Sequence, residues 1–189
     1  MPEYLCILLA IAFHGAGHLA AARICGMQAK GIIPTPTGLR LMLAKSAFPS
    51  YDVELCAALG GPLGNLLGNA VLIVLQMLLP LAPLRDICRE TLPLSLFLGI
   101  WNLLPIEGFD GGRVLQCLLL RGRKRNAITP DAVEGWLRLT SGACFLGLWV
   151  LSVYLLLRTG RALSLFLFCL QLFWGLFGEQ FTSHARYGE

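Results

Sequence analysis

Two histidines four residues apart, His14 and His18 in Phe13-His14-Gly15-Ala16-Gly17-His18, interrupt an otherwise apolar run. On a helix, positions i and i+4 differ by roughly 40° around the axis and about 6 Å along it, so both imidazoles face one way and can hold one metal ion. Two histidines, a carboxylate and a water make a familiar catalytic zinc set. The candidate carboxylate is Asp110, in the run Asn102-Leu103-Leu104-Pro105-Ile106-Glu107-Gly108-Phe109-Asp110-Gly111-Gly112-Arg113. His184, the third histidine, lies in the C-terminal tail and is set aside. Helical zinc hydrolases with this histidine spacing carry Glu directly after the first His as general base. Here that position is Gly15.

The elements that must position these groups are membrane spans. The chain has 189 residues, 56% of them hydrophobic and 14% charged, with mean hydropathy +0.69. That is too apolar for a soluble domain of this size and fits an integral membrane protein. Runs nearly free of charge are Tyr4–Ala22, Leu55–Leu84, Thr91–Ile106, Leu139–Leu157 and Ala162–Gly178. They predict a single all-α membrane domain of about five spans: core spans at about 4–25, 53–84 and 91–120, and accessory spans at about 138–157 and 161–178. The first run lacks the basic start of a signal peptide and is expected to be a retained span, with none before it. A histidine inside a span is a functional-site hypothesis by default, because lipid gives the ring nothing to bond.

With five spans, eleven of the Lys and Arg residues fall on one side and four on the other. The richer side is expected to be cytosolic, and the site would open toward it. The Arg121–Arg125 cluster reads as a topology determinant at anionic headgroups, not as a nucleic-acid patch. The seven cysteines show no CxxC spacing and read as small apolar packing residues.

After the first span, residues of about 30–46 read as a short β hairpin around a Pro/Gly turn. An open strand edge there is costly in lipid unless protein or a cavity covers it, and an extended peptide could pair with it. The second span carries Gly60, Gly64 and Gly68 on one face, which lets another helix approach closely. Asn65 and Asn69 follow two of those glycines. Each amide either bonds between helices or, as a functional alternative, donates near bound substrate. Pro105 and the glycines of the third run cannot continue a straight helix. Asp110 is therefore expected in a polar interior at the cytosolic end of a short span. Thr129, Pro130 and Asp131 form a helix-start signal.

Taken together, HxxxH in a first core span, Gly-Pro-x-x-Asn in a second and Asn-x-x-Pro-x-x-x-x-Asp-Gly-Gly in a third resemble the site-2 intramembrane metalloproteases. The hairpin and the Asn102–Arg113 run look like the stage IV sporulation protein FB branch. The resemblance implies zinc (Zn2+) on His14, His18 and Asp110, with Asn65 as a candidate oxyanion donor. It further implies a membrane-associated protein substrate, in that branch a sporulation precursor, and regulatory membrane proteins as partners. The implied location is a bacterial cytoplasmic membrane, or the membrane surrounding a forespore.

Gly15 departs from that pattern, since it has no side chain to take a proton from water. General acid–base groups commonly contribute ~10² to 10⁴-fold in rate, so impaired hydrolysis is expected while metal binding need not be lost. Three accounts compete: an engineered substitution, a naturally inactive relative that grips membrane segments without cutting, and a relocated base. Glu107, three residues before Asp110, is the candidate substitute base; otherwise it is a loop charge facing water. A metal-permeation protein is a further rival, but the last two runs offer almost no polar residues beyond Gln171.

Overall fold

The computed structural model describes residues 2–27, 29–35, 38–43, 50–79, 81–123, 129–159, 166–167 and 169–171. Helix α1 (Pro2–Ile24) is followed by strands β1 (Ala29–Thr35) and β2 (Gly38–Leu43), then helices α2 (Tyr51–Leu78), α3 (Ala82–Asn102), α4 (Asp110–Arg123) and α5 (Pro130–Thr159). Three of these are long and apolar enough to cross a membrane: Tyr4–Ile24, Tyr51–Leu78 and Asp131–Thr159. In a bilayer a helix satisfies its own backbone groups, which is why such apolar runs fold this way.

α1 ends where Gly26 turns to φ 73°. There Met27 N–H donates to the Ala22 carbonyl (2.8 Å) and Gly26 N–H to that of Arg23 (3.0 Å), a terminating motif that favours glycine in the left-handed region. The strands pair antiparallel with Thr35 opposite Gly38 and Ile32 opposite Leu41, and the register shifts between Ala29 and Gly31. This ribbon lies against α1.

The helix boundaries differ from the apolar runs in three places. The second run, expected to 84, stops at Leu78, and α3 starts at Ala82. α3 thus contains Arg85, Asp86, Arg89 and Glu90 in its first turns, because charges end an apolar run without ending a helix. The expected 91–120 span is two helices, α3 and α4, separated by the loop that begins at Leu103. α5 starts at Pro130, earlier than the expected 138, with Thr129 Oγ1 accepting from Ala132 N–H (3.3 Å). An ion pair of Glu134 with Arg138 (2.6 Å) lies on its exposed first turns. The expected span at 161–178 falls largely outside the described residues.

α1 and α2 run antiparallel with their backbones in contact. Cβ atoms added at Gly17 or Gly64 would strike the backbone of the facing helix, and one added at Gly60 would stand 2.6 Å from the Ala21 Cβ and 2.7 Å from the Gly17 carbonyl oxygen. At the next turn Gly68 receives the ring of Phe13. The glycine stripe thus packs within the chain. α3 packs against both α1 and α2; Gly99 lies over Asn65, and the Asn69 amide donates to the Leu92 carbonyl (3.2 Å). α4 is tied to the start of α2 by Arg121–Asp52 (3.0 Å) and by the Cys117 thiol on Glu54 (3.8 Å). Ile106 and Phe109, both buried, anchor the α3–α4 loop against Phe145 and Leu148 of α5.

Overpacking a tight contact costs about 1–3 kcal/mol. Gly17→Ala, which would drive a methyl group into α2, is expected to lower the unfolding midpoint in detergent. Gly142→Ala, where nothing lies within 4 Å, should leave it unchanged. Thermal unfolding followed by circular dichroism checks both.

Candidate metal centre

His14 and His18 stand one turn apart on α1, with ring centroids 4.7 Å apart and planes at 84°. That crossed arrangement brings their Nε2 atoms to 3.1 Å. Asp110 opens α4, ninety-odd positions further on, and its Oδ2 lies 3.0 Å from His14 Nε2 and 3.2 Å from His18 Nε2. Among the described residues these three form the one group of His, Cys, Asp or Glu able to share an ion. Asp110 reaches them because the loop closes tightly: Gly108 takes φ 93°, and Phe109 N–H donates to the Ile106 carbonyl (3.0 Å). Added Cβ atoms at Gly111 and Gly112 would strike the loop carbonyls of Leu103 and Ile106. As the first residue of α4, Asp110 also places its charge at the positive end of the helix dipole.

The hydrogen bonds behind the rings prepare lone pairs in front. A carbonyl only accepts, so His18 Nδ1–H donates to the Ala57 carbonyl (2.8 Å). That leaves His18 Nε2 as a bare acceptor, the tautomer a metal ligand needs. On His14, Nδ1 faces the Asn65 amide at 3.3 Å. Asn65 is 1% exposed, and its Oδ1 has no partner with the amide drawn this way round. Amide oxygen and nitrogen are assigned from the hydrogen-bond network. Turning the amide over lets Oδ1 accept from His14 Nδ1–H and frees Nε2 of that ring as well.

Asp110 Oδ2 is buried without a hydrogen-bond donor. With both rings in that tautomer, three acceptor atoms lie within 3.2 Å of each other with no hydrogen between them, and they repel unless a cation lies among them. Tetrahedral zinc with bonds of about 2.0–2.2 Å keeps its ligand atoms roughly 3.3–3.6 Å apart, so the observed spacing is close to what that ion demands. The donor set and its geometry fit zinc.

Gly61 completes the site; the sequence reading placed it in the Gly-Pro-x-x-Asn motif but gave it no role of its own. A Cβ there would collide with His18 Nε2 and stand 2.6 Å from His14 Nε2, filling the place toward which the ligand atoms point. Its signal was available: Gly61 adjoins Gly60 but lies out of phase with the Gly60, Gly64 and Gly68 stripe, so helix packing does not account for it. Gly15 has open surroundings, since an added Cβ meets nothing within 4 Å. Glu107 is exposed; its backbone N–H donates to Ser141 Oγ (2.8 Å), and its carboxylate is not in the cluster. Asn65 lies behind the His14 ring, on the Nδ1 side. His184 lies outside the described residues.

Zinc content of detergent-purified protein checks the centre. About one zinc per chain is expected for the unmodified protein, and almost none for His14→Ala, Asp110→Ala or Gly61→Ala. His184→Ala should retain it.

No family model matches the chain. Over 117 residues, 61% of its length, the chain is 28% identical to a zinc metalloprotease of Methanocaldococcus jannaschii. It covers 34% of that relative, so it spans about a third of the length of the curated protein it matches. The solved structure of the site-2 protease from Methanocaldococcus jannaschii aligns with 92% of this chain and 75% of its own, at TM-score 0.57 and 23% identity. The helical core that carries His14, His18 and Asp110 therefore has the site-2 protease fold.

Proposed function

We propose that this chain is a zinc-binding intramembrane protein of the site-2 protease type, whose hydrolysis of membrane-embedded peptide is impaired by Gly15. The observation that carries the reading is the meeting of His14 Nε2, His18 Nε2 and Asp110 Oδ2 within 3.2 Å, from two distant parts of the sequence. Zinc bound there would supply a water of pKa lowered toward ~7 and polarise a peptide carbonyl.

The remaining roles belong to the chain. Ala57 and Asn65 hold the two imidazoles in the metal-binding tautomer, and Asn65 serves as a support of His14. Gly61 keeps the space in front of the rings clear. A helical substrate shields its own carbonyls, so cleavage needs an unwound segment, which the β1–β2 edge would receive as an added strand. The substrate class is a membrane-associated protein. A sporulation precursor, regulatory membrane proteins and a site facing the cytosol belong to the same proposal; they rest on the motif resemblance and on the Lys and Arg distribution.

Position 15 decides whether such a segment is cut. It sits beside His14 with open space around it, yet glycine can neither accept nor return a proton. Capture of membrane segments without cutting is the second reading, favoured by the cluster holding, among the described residues, no carboxylate besides Asp110.

The test is cleavage of a panel of dye-labelled single-span peptides, reconstituted with zinc-loaded protein. Gly15→Glu is expected to raise turnover by ~10² to 10⁴-fold, because the added side chain enters open space. Glu107→Gln should leave any residual cleavage of the unmodified chain unchanged. If Gly15→Glu binds zinc and retains peptides but cuts none, the protease reading fails and the capture reading stands.

A further inference from the structure

Cys25 and Cys56 are far apart in the sequence and belong to no recognisable spacing, but the helix contact brings them together. Along the α1–α2 interface Phe13 meets Gly68, Gly17 meets Gly64 and Ala21 meets Gly60. Each step of four up α1 is matched by a step of four back along α2. The next step of that register pairs Cys25, at the end of α1, with Cys56 on α2. Cys25 is half-buried and Cys56 exposed, whereas Cys6, Cys88, Cys117 and Cys169 are buried.

The surroundings of the pair are wet. Asp52, one turn before Cys56, forms an ion pair with Arg121 in which both side chains are more than half exposed. Cys25 is the first residue beyond α1, just before the Gly26 turn. The two thiols therefore stand at the two ends of the segment that carries β1 and β2.

We infer that Cys25 and Cys56 are a modification site for disulfide reagents of the glutathione class, closing to a reversible intramolecular disulfide that ties off the β1–β2 segment. The chemistry is thiol–disulfide exchange. The exposed Cys56 thiolate attacks one sulfur of oxidised glutathione; the S–S bond breaks and one reduced glutathione leaves. The Cys25 thiolate then attacks the Cys56 sulfur, and the second glutathione leaves. Solvent relays the two thiol protons to the departing glutathione thiolates, so the two electrons and two protons end on the released glutathiones. A cross-link at this point pins the register of α1 on α2, and with it the histidines and Gly61. An exposed disulfide at a helix end is of the labile, reversible kind.

The full chain in detergent is treated with oxidised glutathione, its free thiols are blocked, and the digest is read by mass spectrometry. The expected result is a drop from seven free thiols to five, with the peptides bearing Cys25 and Cys56 joined in monomeric protein and the change reversed by dithiothreitol. Cys25→Ser is expected to trap glutathione on Cys56, and Cys56→Ser to leave Cys25 unmodified over the same period. Glutathione persisting on Cys56 of the unmodified chain beside a free Cys25 would overturn the inference. Cross-links formed only between chains would overturn it equally.

Discussion

Gly17 on α1 and Gly60 and Gly64 on α2 leave no room for a methyl group between the two helices. In lipid there is little hydrophobic gain in bringing helices together, so close backbone packing has to supply the attraction. The same approach sets the reach of the histidine rings. His18 can donate to the Ala57 carbonyl at 2.8 Å only because its helix lies so close to α2. His14 meets Asn65 on that same partner. Larger residues along the stripe would separate the rings from the groups that fix their tautomers, even with every ligand still in the sequence.

The second requirement is a carboxylate delivered to those rings at membrane depth, where an unpaired charge is costly. The α3–α4 loop achieves this by satisfying itself. Its carbonyls and amides turn inward, Ile106 and Phe109 seat it under α5, and Ser141 accepts from the Glu107 amide. Asp110 is then presented from the first turn of α4, and its oxygen faces two ring nitrogens whose hydrogens are committed elsewhere. The arrangement is poorly satisfied as a protein interior and well suited to holding a cation. α5 thereby acts on the centre through the loop, although it contributes no ligand.

Much of this was legible in the residues. His14 and His18 stand out because a span has few reasons to hold imidazoles, and Asp110 because the glycines and proline around it break a helix. The Gly60, Gly64 and Gly68 spacing announced a close helix contact but not its partner, which depends on the tertiary fold. The start of α3 was missed because an apolar run ends at Arg85 to Glu90 while backbone hydrogen bonding continues through them. Gly61 stood in the Gly-Pro-x-x-Asn motif without a role of its own, because its neighbour Gly60 offered a packing explanation that does not extend to it. Asn65 stood out as a buried amide, but its place behind a ring nitrogen depends on how α1 lies on α2.

The unequal lengths of α1 and α2 have a consequence for the surrounding lipid. At 1.5 Å per residue the 21-residue span of α1 is ~32 Å long, near the ~30 Å of a bilayer's hydrocarbon, whereas the 28 residues of α2 reach ~42 Å. Glycine contacts hold the two side by side, so they cannot tilt independently to absorb that mismatch. α2 must overhang, and its first turn, with Asp52 and Glu54, is the polar end suited to do so. Lipid thickness then acts on the pair as a unit, changing its inclination and the depth of the histidines together while leaving their mutual geometry intact.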